Sequence, residues 1–384
     1  MKNEILRIIR DNITGMENLT DYEKFMFYRI LNCRTEPVPG LKSKCCECGT
    51  YHTVYKSCKR RLCPVCNGSA SIKWIAKREA ELLPTGYFML TFTLPSELRS
   101  LVLYNNKRCY NMLFKCVSQT INNQIKEGFR GFKGIPGFFC VLHTWDQRLN
   151  FHPHIHTVIP AGCISTDKTK WIDSNPSFIL PVRKLSAEFK IRMLRSLRKE
   201  IGQDNLKLPE KFSCKSAIGN LLEQLYHVKW VVNSQAPGIR KNPDGLIRYL
   251  ARYVHKSAVS TKRIVKAESG NVHIGYMDRK NKIAKIEVIT EKIFMQRLVL
   301  HILPKGFKKV RFYGFMANHC RKRMLVLCRT LMGIPLKAQE TVSGESVEDS
   351  AFLFWKYFGI DILLCPDCGK GHLEFVRSYG EKGG

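Results

Sequence analysis

Residues 151–159 read Phe151-His152-Pro153-His154-Ile155-His156-Thr157-Val158-Ile159, a short β-type run in which two histidines flank one bulky apolar residue. Side chains alternate between the two faces of a strand, so His154 and His156 point the same way and Ile155 points into the core. Two imidazoles on one face of a rigid strand form half of a metal site. The stretch therefore predicts a strand with one buried face and one metal-binding face.

A second strand is predicted just before this one, from Phe138 to His143, with a polar loop over 144–152. The two strands can pair as an antiparallel hairpin, which would bring His143 near the histidine pair as a third ligand. Gln147 and His152 are alternatives for that third position. Three protein ligands leave open positions on a divalent ion, which can then draw electron density from a scissile phosphate.

Elsewhere, strand-like apolar runs are separated by long helical segments, which predicts an α+β fold with helices on one face of a sheet. We expect four regions in the chain. They are a helical segment (1–40), a zinc-binding and DNA-binding module (41–84), a catalytic domain (85–330) with a helical insertion at about 163–227, and a C-terminal helix with a Cys-x2-Cys knuckle (331–384).

The charge balance of the chain is strongly basic. Its 384 residues include 63 Lys and Arg against 32 Asp and Glu, a net charge of +31. Such an excess attracts polyanions and favours nucleic acid as the partner, although a ribosome-associated protein or a merely cationic surface would share it. No uncharged apolar run is long enough to span a bilayer and no secretory signal is evident, so a cytoplasmic protein without membrane contact is expected.

The 16 cysteines of a chain without an export signal favour metal binding over disulfides. Cys45-x2-Cys48 and Cys63-x2-Cys66 have the spacing of a tetrahedral four-cysteine zinc site. Cys58 is an additional thiol and is an alternative to one of these four ligands. The sequence therefore predicts Zn2+ in this N-terminal module.

Cations surround the cysteine cluster, among them Lys59, Arg60 and Arg61. A zinc module with such a surface is expected to bind DNA phosphates, and the alternative is a purely structural module with solvated charges.

A single knuckle, Cys365-x2-Cys368, lies near the C-terminus and predicts a second zinc site only if two more ligands join it. His372 is close in sequence, and Cys320 or Cys328 are the other candidates.

Tyr249 and Tyr253 are four residues apart, so they share one face of a predicted helix. Such a pair is usually a packing pair. Here Arg248, Arg252 and Lys256 lie within a turn of it, and cations stabilise a phenolate and hold a phosphate. The pair is thus a candidate nucleophile for phosphodiester cleavage.

Several of these motifs resemble one known family. Phe151-His152-Pro153-His154-Ile155-His156, preceded by Leu142-His143-Thr144-Trp145, resembles the signature of the HUH superfamily in rolling-circle transposases, in particular the two-tyrosine class of the IS91 family. Further stretches are similar to that family's tyrosine motif, zinc module and flanking blocks, in the right order from about residue 40 to 330. They are Tyr249–Lys256, Ser57-Cys58-x4-Cys63-Pro64-x-Cys66, Phe92-Thr93-Leu94-Pro95 and His301-Ile302-Leu303-Pro304. Leu62 departs from the pattern, which has a histidine there.

The resemblance implies an antiparallel-sheet HUH endonuclease core and Mg2+ or Mn2+ held by His154 and His156. It implies Tyr249 and Tyr253 as nucleophiles that nick and rejoin single-stranded DNA, at element ends and target, through 5′-phosphotyrosine links. No GxxxxGK[ST] phosphate loop occurs in the sequence, so strand opening is expected from host replication proteins or supercoiling. A nucleoid-associated bacterial protein is expected.

Three other functions share part of this pattern. Plasmid replication initiators and conjugative relaxases use the same chemistry, and a non-catalytic zinc-containing DNA-binding protein would share the charge and the cysteines. A degenerate copy that folds but no longer moves DNA would have lost a motif, and none is lost. A transposase with three catalytic carboxylates is disfavoured, because nothing marks out three among the 32 acidic residues.

Overall fold

Helices and antiparallel strands alternate along the chain, which confirms the predicted α+β class. The structure is a computed structural model that describes residues 4–36, 38–60, 62–66, 72, 74, 76–79, 81–212, 214–235, 258–259, 263–278, 281–335 and 347–380. The strands within these ranges are β1 Gly40–Cys45, β2 Tyr51–Tyr55, β3 Tyr87–Thr93, β4 Gly137–Trp145, β5 Phe151–Pro160, β6 Gly162–Ile164, β7 Trp171–Asp173, β8 Val231–Gln235, β9 Ile264–Glu268, β10 Asn271–Asp278, β11 Ile283–Thr290, β12 Val310–Gly314 and β13 Leu373–Tyr379. The α-helices are α1 Glu4–Asn12, α2 Asp21–Leu31, α3 Arg99–Tyr104, α4 Asn106–Glu127, α5 Val182–Gly202, α6 Lys215–His227, α7 Glu291–Val299, α8 Arg321–Leu331 and α9 Val347–Phe358.

A five-stranded sheet in the order β12-β4-β5-β3-β8 lies at the centre, and each neighbouring pair is antiparallel. The expected hairpin is β4 and β5. The predicted strand over 228–232 begins later, at Val231, because Val228 ends the preceding helix α6 in an extended conformation.

One face of this sheet is covered by helices. Phe88, Leu90 and Phe92 alternate along β3 toward this face, where they share a core with residues of α4, α5 and α6. Ile155 of β5 is fully buried in the same core, as its parity in the strand predicts.

The opposite face divides into two parts. At one end Phe139 and Val141 of β4 pack with Met324 and Leu325 of α8. At the other end the strands present histidines instead of apolar side chains, and this is where the candidate site lies.

A second core joins the two N-terminal helices to a later part of the chain. Residues of α1 and α2 pack with β10 and α7 in one apolar cluster. Glu291, at the start of α7, accepts hydrogen bonds from Arg7 and Asn12, both at 2.8 Å. The N-terminal helices are thereby fixed against β10 and α7.

The two ends of the chain meet in a separate three-stranded sheet, β13-β1-β2. Gly40 lies opposite both Tyr379 and Tyr55, and a Cβ at residue 40 would come within 2.8 Å of the Tyr379 hydroxyl, so a larger residue there would displace the Tyr379 side chain. Lys42 lies opposite Arg377 in the same pairing. The sheet therefore brings cations from both ends of the chain together.

Candidate active site and metal-binding clusters

Three imidazoles meet on the face of the central sheet opposite to the helices α4, α5 and α6. His143 of β4 lies directly opposite His154 of β5, and His156 lies one step along the same face of β5. One nitrogen of each ring lies within 4.8 Å of the others. The arrangement follows from strand periodicity, because residues 154 and 156 share a face and the hairpin register places residue 143 beside them.

Hydrogen bonds orient two of these rings. The His154 Nδ1–H donates to the backbone carbonyl of His152 at 2.7 Å, and a carbonyl can only accept, so the lone pair of His154 is on Nε2. Nδ1 of His156 lies 3.1 Å from the hydroxyl of Thr91, on the neighbouring strand β3. When that Nδ1 donates, Nε2 of His156 also carries a lone pair.

The two Nε2 atoms lie 3.1 Å apart. Two neighbouring ligands of an octahedral ion, each about 2.1 Å from the metal, are about 3.0 Å apart. The donor set therefore fits a divalent ion held between His154 and His156, with His143 as the third nitrogen.

The two alternative third ligands are placed differently. The side-chain carbonyl of Gln147 accepts a hydrogen bond from the backbone of Met277 at 2.9 Å. His152 is outside the set of mutually close ligand atoms found among the described residues, and its carbonyl holds His154.

A basic cleft of about 190 Å³ is lined in part by Leu142, Thr144 and Trp145 of β4, the strand that carries His143. Trp145 forms part of its wall and stacks on His143, with ring centroids 4.8 Å apart. The ammonium group of Lys309 lies 4.9 Å from the centre of the Trp145 ring. Lys59 and Arg60 of the N-terminal module line the same cleft, so two of the predicted DNA-binding cations lie on its wall.

His301 is close to this cleft but is a structural residue. Its Nε2–H donates to the Leu149 carbonyl at 3.0 Å, and its Nδ1 lies 3.1 Å from the Thr144 hydroxyl. Burial lowers the pKa of His301 to about 4, so the ring is neutral near pH 7.

The first cysteine cluster contains Cys33, Cys58, Cys63 and Cys66, all buried. The Sγ atoms of Cys58 and Cys66 are 3.6 Å apart. A tetrahedral zinc ion with Zn–S distances of about 2.3 Å requires sulfurs about 3.8 Å apart, so the set fits zinc. Hydrogen bonds from the Cys58 and Cys63 thiols lower the pKa of Cys66, which favours a thiolate there.

Cys45 and Cys48 belong to a second cluster, with Cys365 and Cys368. The predicted single site of Cys45, Cys48, Cys63 and Cys66 is therefore wrong in its grouping. Strand β2 separates the two pairs, and its five residues at about 3.3 Å each carry the chain about 16 Å away from the first knuckle.

The sequence did not identify Cys33 as a ligand. Cys58, which the sequence offered as an alternative ligand, is one of the four cysteines of this cluster. Cys33 lies 25 residues before Cys58, with no local cysteine partner. The only signal for Cys33 in the sequence is its position just after the helix α2. In the structure the end of that helix brings the Cys33 sulfur to 3.4 Å from the backbone nitrogen of Cys58.

The other candidates for the C-terminal knuckle are occupied elsewhere. His372 pairs with Asp361 at 2.9 Å. Cys320 bonds backbone carbonyls of its own turn, and Cys328 is buried in the core under α8.

The tyrosine motif lies outside the described residues. This holds for Tyr249 and Tyr253 and for the neighbouring cations Arg248, Arg252 and Lys256, and also for Arg61. Their roles stay predictions from sequence.

No helix in the described part of the chain is long and apolar enough to cross a lipid bilayer.

Comparisons with known proteins point to one family. A model described as "Putative transposase" matches residues 137–323, and a model described as "Transposase zinc-binding domain" matches residues 5–94. The "Putative transposase y4qJ" of Sinorhizobium fredii is 34% identical over 352 residues, which cover 90% of this chain and 87% of that protein. The "Transposase for insertion sequence element IS801" of Pseudomonas savastanoi pv. phaseolicola is 27% identical over 309 residues, or 78% and 72% of the two chains. No solved structure matches the chain significantly.

The zinc-binding model spans the buried cluster of Cys33, Cys58, Cys63 and Cys66 in full. Family and geometry thus agree on zinc in the N-terminal part of the chain.

Proposed function

The chain belongs to the IS91 family of transposases, and on that premise we propose that it nicks and rejoins single-stranded DNA through 5′-phosphotyrosine links during rolling-circle transposition. A transposase binds and cleaves DNA. The proposal adds three points to this: that the DNA is single-stranded, that tyrosines are the nucleophiles, and that the histidines hold a divalent metal ion.

The observation that carries the proposal is the convergence of His143, His154 and His156 on one sheet face, with two Nε2 atoms 3.1 Å apart. A bound divalent ion would supply Lewis-acid stabilisation of the charge that develops on the scissile phosphate. Three nitrogen ligands suit Mn2+ better than the harder Mg2+, which prefers oxygen. The chain's own contribution is to fix the rings, through the His152 carbonyl and the Thr91 hydroxyl.

We assign the nucleophiles to Tyr249 and Tyr253 from the sequence motif. The phenolic oxygen forms a bond to phosphorus as the bond to the 3′-oxygen breaks. The phenol proton ends on that oxygen, which leaves a free 3′-OH and a 5′-phosphotyrosine. The reverse reaction with another 3′-OH joins strands without ATP, because the link conserves the phosphodiester energy. Two tyrosines allow two ends to be held in turn.

The basic cleft supports single-stranded DNA as the substrate. Lys59, which is exposed, and Arg60 supply cations on its wall. Cations along a groove are one part of how proteins bind unpaired strands. Arg61, Arg248, Arg252 and Lys256 are proposed as further phosphate contacts from their positions in the sequence.

A second cationic surface lies on the terminal sheet. Lys42 and Arg377 stand directly opposite each other on neighbouring strands, where like charges are destabilising and a bound anion would relieve the repulsion. Lys44 continues the row along β1 and is exposed, opposite Glu374 of β13. We propose that this face contacts phosphates of the element end. Strand opening would fall to host replication proteins or supercoiling.

The test is a cleavage assay on a single-stranded oligonucleotide from the element's own end, with Mn2+ and a denaturing gel for a protein–DNA adduct. Wild type, Tyr249→Phe, Tyr253→Phe, the double variant Tyr249→Phe/Tyr253→Phe and His154→Ala are compared. His227→Ala is the matched control, because His227 is exposed, pairs with Glu223 and is outside the histidine cluster.

An adduct that requires His154 and at least one tyrosine, and that persists in His227→Ala, supports the proposal. If wild type binds the end DNA but never forms an adduct, or if the double tyrosine variant still forms one, the tyrosine mechanism is refuted and a non-catalytic DNA-binding role gains weight.

A further inference from the structure

We infer that Cys45, Cys48, Cys365 and Cys368 bind a second zinc ion, which fastens the C-terminal strand β13 to the N-terminal module. Cys365 and Cys368 lie outside the residues matched by either family model. The site is formed only by residues from both ends of the chain, and it does not depend on the proposed cleavage chemistry.

The sulfur positions fit a tetrahedral ion. The Sγ atoms of Cys45 and Cys368 are 3.7 Å apart, and those of Cys48 and Cys365 are 3.8 Å apart. Four thiolates about 2.3 Å from zinc require edges of about 3.8 Å, whereas a disulfide requires about 2.05 Å. All four are free thiols.

Each half of the site has the same backbone form. In the first knuckle Gly49 has a φ of 71° and its N–H bonds the Cys45 carbonyl at 3.1 Å. In the second, Gly369 has a φ of 62° and its N–H bonds the Cys365 carbonyl at 2.9 Å. Both knuckles turn the chain back through a left-handed glycine, which points two sulfurs from each knuckle at a common centre.

Nitrogen groups lie beside two of the sulfurs. The backbone N–H of Gly371 donates to the Cys368 sulfur at 3.4 Å, and Nε2 of His52 lies 3.4 Å from the Cys365 sulfur. A Cβ at residue 371 would lie 2.6 Å from the Cys45 sulfur, so the two knuckles approach closely enough to require glycine.

The strand that the ion would fasten has little other support. Residues 374–378 of β13 are exposed, and Phe375 keeps 64% of its surface in contact with solvent. A strand that buries so little gains marginal stability from pairing alone. Metal binding adds its free energy directly to folding, so zinc supplies the fastening that apolar burial does not.

The two clusters differ in exposure. Cys33, Cys58, Cys63 and Cys66 are all buried, whereas Cys48 is exposed and Cys368 is partly exposed. A chelator should therefore remove the zinc ion of Cys45, Cys48, Cys365 and Cys368 before that of the buried cluster, so the two sites can be distinguished by their rates of zinc release.

The test is zinc content by mass spectrometry of the full-length protein. We expect two zinc ions per chain in wild type, one in Cys365→Ser/Cys368→Ser, and two in the control Cys214→Ser, an exposed cysteine in neither cluster of the described residues. Gly371→Ala leaves every ligand in place and should release the second ion several-fold faster to a chelator.

Differential alkylation of wild type avoids any folding defect in the variants. Cys45, Cys48, Cys365 and Cys368 should resist iodoacetamide together and become reactive together when a chelator removes the second zinc ion. One zinc ion in wild type, rapid alkylation of Cys365 and Cys368 before chelation, or a disulfide between the knuckles would each overturn the inference.

Discussion

Substitution of Thr91 tests whether the neighbouring strand β3 orients a histidine of the metal site. Its hydroxyl lies 3.1 Å from Nδ1 of His156 and reaches that ring from the neighbouring strand. Thr91→Val removes the hydroxyl and keeps the β-branched shape, which strands favour. The fold should be unchanged, and His156 should lose the partner that fixes its ring and its tautomer.

The size of the effect follows from that single contact. A hydrogen bond of this kind contributes about 1 kcal/mol net, and the freed ring loses orientation in addition. Partners of metal-bound histidines change metal affinity by about 10-fold to 100-fold. For one partly buried bond we expect the lower limit, about tenfold weaker Mn2+ binding, which corresponds to about 1.4 kcal/mol.

The assay is calorimetric titration of the zinc-loaded protein with Mn2+, without DNA, so that affinity is separated from cleavage. Thr93→Val is the matched control, since Thr93 lies two residues along the same strand, opposite His154. An unchanged Mn2+ affinity in Thr91→Val would refute the argument, as would an equal loss in Thr93→Val.

Three further outcomes follow from other contacts. Burial lowers the pKa of His301 to about 4 from an unfolded value of about 6.5, so between these pH values the unfolded chain binds a proton that the folded chain does not. The free energy of unfolding should therefore fall by up to about 3 kcal/mol as the pH drops through that window, and His301→Gln should remove this part of the pH dependence in urea titrations. Combined Lys42→Ala, Lys44→Ala and Arg377→Ala should flatten the slope of log affinity against log salt by about two to three, measured on element-end DNA by fluorescence anisotropy. Glu291→Ala should cost about 1–2 kcal/mol in unfolding free energy, because Arg7 and Asn12 lose their shared acceptor.

Each of these outcomes has its own control. His227→Gln alters an exposed histidine and should leave the acid dependence of stability intact. Substituting Lys168, Lys170 and Lys207 by alanine removes the same charge elsewhere and should change the salt slope less. Glu223→Ala should change stability by less than about 0.5 kcal/mol, as surface substitutions do. If a control variant changed the measured quantity as much as its matched variant, the effect could not be assigned to the contact in question.

The histidine site could be predicted because its geometry is local. The parity of His154 and His156 along one strand, and a short loop back to His143, fix which side chains share a face. Both facts can be read within about twenty residues of sequence. The same local reasoning placed Ile155 in the core.

The cysteine sites could not be grouped correctly because their geometry is not local. Cys45 and Cys48 meet ligands more than 300 residues away, and Cys33 has no cysteine neighbour in the sequence. Spacing shows that a Cys-x2-Cys pair can bind half of a metal ion, but which pairs share an ion depends on the tertiary fold. In the exposed strand β13 the alternation Leu373-Glu374-Phe375 is broken by Val376 and Arg377, which is too short a pattern to reveal a strand.

The pairing of the two chain ends also bears on how the protein is made. Cys48 and Cys365 are separated by 317 residues, and a ribosome adding about 5–20 residues per second needs roughly 15 to 60 s to cover that distance. Throughout this interval β1 has an open edge and two thiols without their partners, exposed to oxidation and to pairing with other chains. The terminal sheet is thus completed last, and only chains translated through residue 379 can complete it.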